Sequence, residues 1–409
     1  MISFKDYLVE GKNLHMTHLE DALLDGGVKG TRNVILYLRS LRDMLAGNTS
    51  APISITTKWD GAPAIFAGTD PSDGKFFVAK KGVFNKEPKI YKTDAEIDND
   101  LSGDLGAKFK VALAEFSKLG IEGVVQGDFL YTNDDLKTDN IDGEPHITFH
   151  PNTIVYAIPL GSELGKTISG SKIGVVWHTV YRGDSFETMS ASFGKAITPG
   201  LKKVSSVWNV DAVFKDASGT ATFTDQETKE FTAILSKAGK LFQGLKRGVL
   251  DGLHTNSELN MRVNTYINSK VREGSRIGDT KSFTMGLINF IEDYYQKQAD
   301  KRKTPAGKGK QVDAKNSVLE YFNKYKQSDI EKVFQLYDML VDAKHVVIDK
   351  LNTVDGMKTF LKTSKGFEVT GQEGFVAIDH MGKNSLKLVD RLQFSRANFS
   401  TDYIKGWQK

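Results

Sequence analysis

The chain reads as an α/β (α+β) protein in which one antiparallel-sheet domain is interrupted by a large helical segment. Three observations predict this. Short β-rich runs dominate from Ile53 to Tyr181, helical periodicity takes over after about Thr224, and β texture returns at Phe367. The sheet opens before the helices and closes after them. Residues 1–224 are therefore expected to form the first part of one domain, 225–365 an inserted helical domain, and 366–409 a closing hairpin.

In chain order, Leu23 to Leu45 contains ILYLRSLRDML, apolar at helical spacing, with Thr31 as the expected cap and Gly47 as the stop. The strand candidates follow: ISITTK, AIFAG, KFFVAKK, GVVQGDFLYT, HITFHPNTIVYAI and IGVVWHTVY. One helix, Ala107 to Leu119, interrupts them and ends at Gly120. FTAILSKAGKLFQGLKRGVL, FTMGLINFIEDYYQKQ, NSVLEYFNKY and DIEKVFQLYDMLVDAKHVVIDKL then carry helical periodicity, and the Lys- and Gly-rich stretch 301–310 within them reads as a mobile basic loop. The last β runs are GFEVT and EGFVAIDHMGKNSLKLV, a hairpin turning near Met381 to Asn384. There is no internal repeat.

Composition removes several function classes. With 409 residues, 39% hydrophobic and 26% charged, the chain can bury a sizeable core. It has no cysteine, which excludes disulfides, thiolate metal sites and cysteine nucleophiles. His15 and His18 have a spacing that suits a metal on a helix, but no clear third ligand accompanies them, so surface or capping histidines are expected. The start MISFKDYLVEGKN lacks the apolar core of a signal peptide, and no apolar run is long enough to span a membrane, so a cytoplasmic protein is expected. A net charge of +4 does not announce a nucleic-acid binder; local patches must.

The chemistry concentrates at TKWDGAPA, residues 57–64, where a lysine stands between a β-branched run and an apolar one. A Lys-x-Asp-Gly match arises by chance in about one chain in ten of this length, so the tetrapeptide needs company. It has it: Lys80-Lys81-Gly82, Gln126-Gly127-Asp128, Glu373-Gly374-Phe375-Val376 and Leu386-Lys387-Leu388 each sit at or near an expected strand end. In this order they resemble nucleotidyltransferase motifs I, Ia, III, IV and V of the ATP-dependent DNA ligases, RNA ligases and mRNA capping enzymes.

The resemblance implies an antiparallel-sheet nucleotidyltransferase (ATP-grasp-like ligase) domain and a covalent mechanism. Lys58 would be the adenylated nucleophile, with Asp60 and Gly61 shaping its loop and Thr57 and Trp59 joining them in binding the nucleotide. Lys81 would contact ribose or phosphate, Asp128 the ribose, Glu373 a metal ion, and Lys387 the α-phosphate. Tyr156 is the expected aromatic on the adenine, with Trp177 as runner-up. ATP and Mg²⁺ (or Mn²⁺) are the implied cofactors. A lysine amine titrates near 10.4, so its site must favour the neutral form, and neighbouring cations and the metal serve that end.

This sequence departs from the pattern at two places. Asp128 stands where motif III usually has Glu, and Val389 where motif V has a second lysine, which leaves Arg391 or Lys383 as candidates to hold the triphosphate. Two look-alikes are set aside: Glu122-Gly123 directly precedes motif III, and Gly161 to Thr167 is one residue short of a P-loop and is expected to be a turn.

Only 22 residues follow Lys387 (409 − 387), too few for the OB domain of DNA ligases and capping enzymes, which favours the RNA-ligase side. Residues 1–50 do not resemble the extra domain of nicotinamide-dependent ligases. Between Lys237 and Lys281 there are nine basic residues (Lys237, Lys240, Lys246, Arg247, Arg262, Lys270, Arg272, Arg276, Lys281) against four acidic ones, an expected phosphate-tracking face. The opening SFKDYLVEG resembles the starts of proteins from large tailed phages. The expected activity is an ATP-dependent polynucleotide ligase, acting on RNA, with nicked DNA as the close alternative and a nucleotide-binding phage protein without turnover as the other. A monomer is expected, working on nucleic-acid ends that a kinase-phosphatase partner may first heal.

Overall fold

The computed structural model describes residues 17–47, 53–193, 196–213, 222–352, 357–364, 366–379 and 385–407. His15, Lys383 and the turn near Met381 to Asn384 lie outside them. The chain opens with α1 (Ala22–Leu45), then β1 (Ile53–Lys58), β2 (Ala64–Thr69), β3 (Phe76–Ala79), α2 (Asp94–Asp100), α3 (Gly103–Phe116) and β4 (Val124–Thr132). Next come β5 (Lys137–Ile141), β6 (Glu144–Phe149), β7 (Ile154–Pro159), α4 (Glu163–Ser169), β8 (Ile173–Arg182), β9 (Ser190–Phe193) and β10 (Val207–Asp211).

The helical segment is α5 (Asp225–Gly244), α6 (Arg247–Thr255), α7 (Ser257–Arg272), α8 (Thr280–Asp300), α9 (Pro305–Lys324) and α10 (Gln327–Leu351). The chain then returns through β11 (Lys358–Thr363), β12 (Gly366–Thr370), β13 (Gly374–Asp379), β14 (Ser385–Leu388), a π-helical turn at Arg391–Ser395 and α11 (Arg396–Phe399).

Three sheets result. β1, β13 and β14 form one, in the order β1-β13-β14; β10-β8-β4-β2-β3, with β9 on β8, form the second; β12-β11-β7-β6-β5 form the third. All pairings are antiparallel except β10 on β8. The strands after the helices thus pair with strands before them, β13 with β1 and β11 with β7, as an insertion requires.

Local signals explain most boundaries. α5 starts at a capping box in which Thr224 and Glu227 satisfy each other's backbone N–H groups. α3 runs on through a 3₁₀ turn, Ser117–Leu119, to Gly120 at φ +67°. The expected turn at Gly161 leads into the two-turn α4, capped by Ser162.

Two expectations are corrected. Thr31 does not cap a helix: α1 starts at Ala22 and kinks at Gly27 (φ 53°, ψ −135°), where the Thr31 hydroxyl donates to the Gly27 carbonyl and Asp251 of α6 accepts the Val28 N–H at 3.0 Å. The cap came from a distant element, which no local pattern shows. The stretch 301–310 is not a mobile loop beyond its first residues. Thr304 caps α9, accepting from Gly307 N–H at 3.1 Å, and Pro305 fills the first helical position, where a missing N–H costs nothing.

The helical core also claims the front of the chain. Leu23, Leu24, Val34, Leu38 and Leu41 of α1 are buried in one cluster with Phe231, Leu250, Phe334 and Leu340, which Phe375 and Leu388 of the closing strands join. At about 1.5–3 kcal/mol per buried side chain, this contact ties α1 firmly to the inserted helices. A second cluster (Ile65, Phe109, Phe116, Trp177) fills the space between the larger sheet and α3, and a third (Tyr131, Phe149, Tyr156, Trp208, Val389) lies beneath the Lys58 loop.

Candidate functional site

Lys58 is the last residue of β1 and faces Gly374 across the β1-β13 pairing, so its neighbour Glu373 is delivered to its side chain by register alone. The Lys58 ammonium forms an ion pair with Glu373 Oε1, the two side chains being 26% and 11% exposed. Gly374 at φ +147° begins β13, and a Cβ there would collide with the Leu388 carbonyl oxygen, so glycine lets β14 approach at the point where Glu373 turns inward.

The loop after Lys58 is pinned from below. Asp60 is buried, and its carboxylate accepts from Asn152 Nδ2 (2.8 Å), Thr153 N–H (2.6 Å) and Ile154 N–H (2.6 Å) in the turn between β6 and β7. The Asp60 N–H donates to the Tyr156 hydroxyl at 2.8 Å, and Ala62 N–H donates to the Phe129 carbonyl at 3.0 Å. Gly61 is needed because a Cβ there would lie 2.5 Å from Asp128 Cβ. Thr57 N–H donates to Ala212 beyond β10 at 2.7 Å, so the strand that carries Lys58 is held on both sides.

Asp128 lies on β4 opposite Ala64 and Val176. Lys58, Lys81 and His178 each act on its charge, as Lys58, Glu373 and Lys81 act on that of Lys387. Glu373, Asp128 and Lys387, up to 329 positions from Lys58 (387 − 58), thus share its electrostatic neighbourhood, and Lys81 acts on two of them.

Burial raises the Asp128 carboxyl above the usual carboxylate range and lowers the Lys387 ammonium, whose neighbour Lys58 depresses it further. Burial pushes the Glu373 carboxyl up to about 7, against the pull of Lys58. Burial also opposes the Lys58 charge, but Glu373 beside it outweighs that and holds the ammonium above its ordinary value. Both members of the pair thus retain protons more tightly than they would in water.

Trp59 stacks on Tyr156 with ring centroids 5.2 Å apart and meets Trp208 edge-on at 6.3 Å. The adenine-stacking assignments are corrected here. Tyr156 and Trp177 are both fully buried, the first between Trp59 and Phe149 and the second against Phe116, so neither offers a ring face to a base. Tyr156 acts on the site through its hydroxyl, by fixing Asp60.

Val389 packs in the apolar cluster under the loop. Arg391 is not available to a triphosphate: its guanidinium bonds Asp21 Oδ1 (3.0 Å), the Tyr337 hydroxyl (3.0 Å) and Asn268. Glu122 lies at the end of β4 away from Asp128.

Three contributors were missed. Asn152 and Thr153, in the His-Pro-Asn-Thr turn, carry Asp60; a Pro-Asn turn between apolar runs signals a turn but not its cargo. His178 is the extra residue of a bulge, since Gln126 pairs with Thr179 and Gly127 with Trp177, which re-aims its ring until Nε2 lies 3.9 Å from Asp128. Burial holds its imidazole below its ordinary value, against the pull of Asp128.

The basic count over 237–281 does not form one open face. Lys246 pairs with Asp329 (2.9 Å), Arg262 with Glu258 (3.0 Å), Lys270 with Glu273 (2.8 Å), and Arg276 with Asp338 (3.0 Å) and Asp342 (2.7 Å). Part of that acid comes from α10, outside the counted window.

His18 is half-buried, and burial pushes its imidazole down to about 3. Among the described residues no group of three His, Asp or Glu side chains is placed to hold a metal ion, and no helix is long and apolar enough to cross a membrane. No curated protein and no solved structure matches the chain. The family model that does match covers residues 13–403, nearly the whole length, and the chain belongs to that family, described as a family of unknown function (DUF6267).

Proposed function

We propose that the protein is an ATP-dependent polynucleotide ligase, sealing 5′-phosphate to 3′-hydroxyl RNA ends through an AMP carried on Lys58. The observation that carries this reading is the convergence on one lysine amine of two carboxylates, Glu373 and Asp128, and a second lysine, Lys387, from opposite ends of the chain. A structural lysine needs one partner; this set has the composition that a nucleotide-transfer site requires.

In the first step the Lys58 nitrogen attacks the α-phosphorus of ATP, a P–N bond forms, the α–β P–O bond breaks, and pyrophosphate leaves. The ammonium proton must depart beforehand, and Glu373, in contact with it and titrating near neutrality, is the acceptor. Lys387 and Lys81 favour the neutral amine and face the negative phosphates. The 5′-phosphate of the strand then takes the AMP, the P–N bond breaks and Lys58 regains its proton. Attack of a 3′-hydroxyl on that activated phosphate releases AMP and leaves the phosphodiester.

Glu373 Oε2 is buried with no hydrogen-bond partner among the described residues, which suits a divalent cation or its water. Mg²⁺ or Mn²⁺ bound there would neutralise charge on the transferring phosphate.

Incubation with α-labelled ATP and Mg²⁺ is expected to label the protein covalently, and Lys58→Ala to abolish the label. A wild type that stays unlabelled beside an active control ligase would sink the proposal. The burial of Val389 where a second motif V lysine would stand favours one other reading, a nucleotide-binding protein without turnover. Calorimetric binding of ATP with no label would select it. A panel of 5′-phosphorylated RNA, DNA and hybrid strands, with and without a splint, assigns the acceptor.

A further inference from the structure

Two large aromatic side chains, Phe399 at the end of α11 and Trp407, are 64% and 67% exposed. Single exposed apolar residues are ordinary, but these two flank one short turn. Thr153 Oγ1 donates to Asn398 Oδ1 at 2.6 Å, Trp407 Nε1 donates to Asn152 Oδ1 at 3.4 Å, and Gly406 N–H donates to the Asn152 carbonyl at 2.7 Å. The buried Lys405 ammonium joins the Ala397 carbonyl to Thr153, so the two ends of the segment are fixed to each other. Asn152 and Thr153 are the residues that hold Asp60, two positions from Lys58. The aromatic pair therefore belongs to the same rigid support as the lysine.

The charge beside Phe399 is positive. The Arg272 guanidinium lies 4.9 Å from the Phe399 ring centroid and Arg396 packs against Gly274 just beyond Arg272, while Lys362, whose carbonyl accepts from Ile404 N–H at 2.8 Å, holds its ammonium 5.8 Å from the Phe367 ring centroid. Among the described residues, none of these three cations has an ion-pair partner. The exposed acid on the segment, Asp402, is turned to Ser400. Open ring faces stack on bases of any sequence, and unpaired guanidinium groups bind phosphates. A protein partner could cover the rings, but the guanidinium groups of Arg272 and Arg396 at the Phe399 end favour a polyanion.

We propose that residues 396–407, with Arg272, form a stacking platform for a single-stranded stretch of polynucleotide on the segment that supports the Lys58 loop. The proposal rests on the ligase reading only in naming that strand a substrate. The test is fluorescence anisotropy of the full chain with 5′-phosphorylated, 3′-labelled RNA and DNA single strands of about 20 nucleotides, long enough to cover such a site.

The double variant Phe399→Ala with Trp407→Ala is expected to weaken binding about tenfold or more, while Phe399→Trp, which keeps an aromatic face, stays within about twofold of wild type. Arg272→Gln with Arg396→Gln should lower the slope of log affinity against log salt by about 1 to 2. A wild type that binds neither strand, or a folded double alanine variant within about twofold of it, overturns the platform. If the double variant loses binding but wild type takes no label from ATP, the platform stands and the ligase reading falls. If label appears and binding is indifferent to both rings, the reverse holds.

Discussion

At the scale of single residues, the Lys58–Glu373 pair sets the resting state of the site. Both groups hold protons tightly in the free protein, and a cation bound at Glu373, as proposed, would shift that balance toward the neutral amine. A stability signature follows. Glu373 titrates at about 7 when folded and near 4.5 when unfolded, so below about pH 4.5 both states are protonated and nothing is lost. Between there and pH 7 the unfolded chain ionises first, and the folded state loses up to about 3 kcal/mol relative to it. Glu373→Gln removes this dependence, so its melting temperature should rise relative to wild type as pH goes from about 5 to 8. A difference that is constant across that range would show that Glu373 is ionised throughout. The residues of this pair were legible in the sequence because each sits in a short pattern at a strand end. His178 was not, because a bulge is a property of two strands in register and neither strand spells it.

At the scale of elements, the site depends on a loop held by a turn it never meets in sequence. The β1-β2 loop bears Asp60, and the β6-β7 turn, more than 90 positions on, presents Asn152, Thr153 and Ile154 to it. Asp60→Ala strands two buried backbone N–H groups and is expected to cost about 2–4 kcal/mol, read as a lower denaturant midpoint. Asp60→Asn keeps an acceptor and should cost less. If the two variants are equally stable, the carboxylate is not what positions the loop. Strand runs and helix types were readable here because hydrophobic period is a local property. The starts of α1 and α9 were not: one depends on a kink capped by Asp251, and in the other Gly307 and Gly309 masked the Thr-Pro start signal. The adenine-stacking choice failed for a related reason, since an aromatic in a strand looks the same from sequence whether it faces a ligand or the core.

At the scale of the whole molecule, the inserted helices were legible as an insertion, because β texture on both sides must rejoin one sheet system. Their partnership with α1 was not, since an amphipathic face does not name what covers it. A buried polar cluster marks where these parts meet. Glu20 before α1 and Lys344 of α10 form an ion pair at 2.7 Å, both 1% exposed, and Arg391 from beyond β14 reaches Asp21 beside it. The adjoining backbone is also paired, Leu19 N–H donating to the Lys387 carbonyl at 3.2 Å and Lys387 N–H to Thr17 at 3.0 Å, which ties the proposed phosphate-facing lysine to the helical body. Burial opposes ionisation of Glu20, but Lys344 prevails and holds its carboxyl below the usual range. Lys344→Met leaves the buried Glu20 carboxylate with the more distant Arg391 (3.9 Å) in place of its hydrogen-bonded cation and is expected to cost about 3–5 kcal/mol at neutral pH. The wild-type contribution is present above about pH 4.5 and is lost as pH falls through the depressed folded value, whereas in the variant Glu20 neutralises readily. The gap between the two proteins should therefore narrow in acid. Glu20→Gln with Lys344→Met should recover most of the loss at neutral pH, because an apolar or neutral pair avoids burying charge. Denaturant melts of the three proteins at pH 7 and pH 4 test this. A double variant no more stable than Lys344→Met would mean that the ion pair itself, rather than relief from a stranded charge, joins the helices to the lysine sheet.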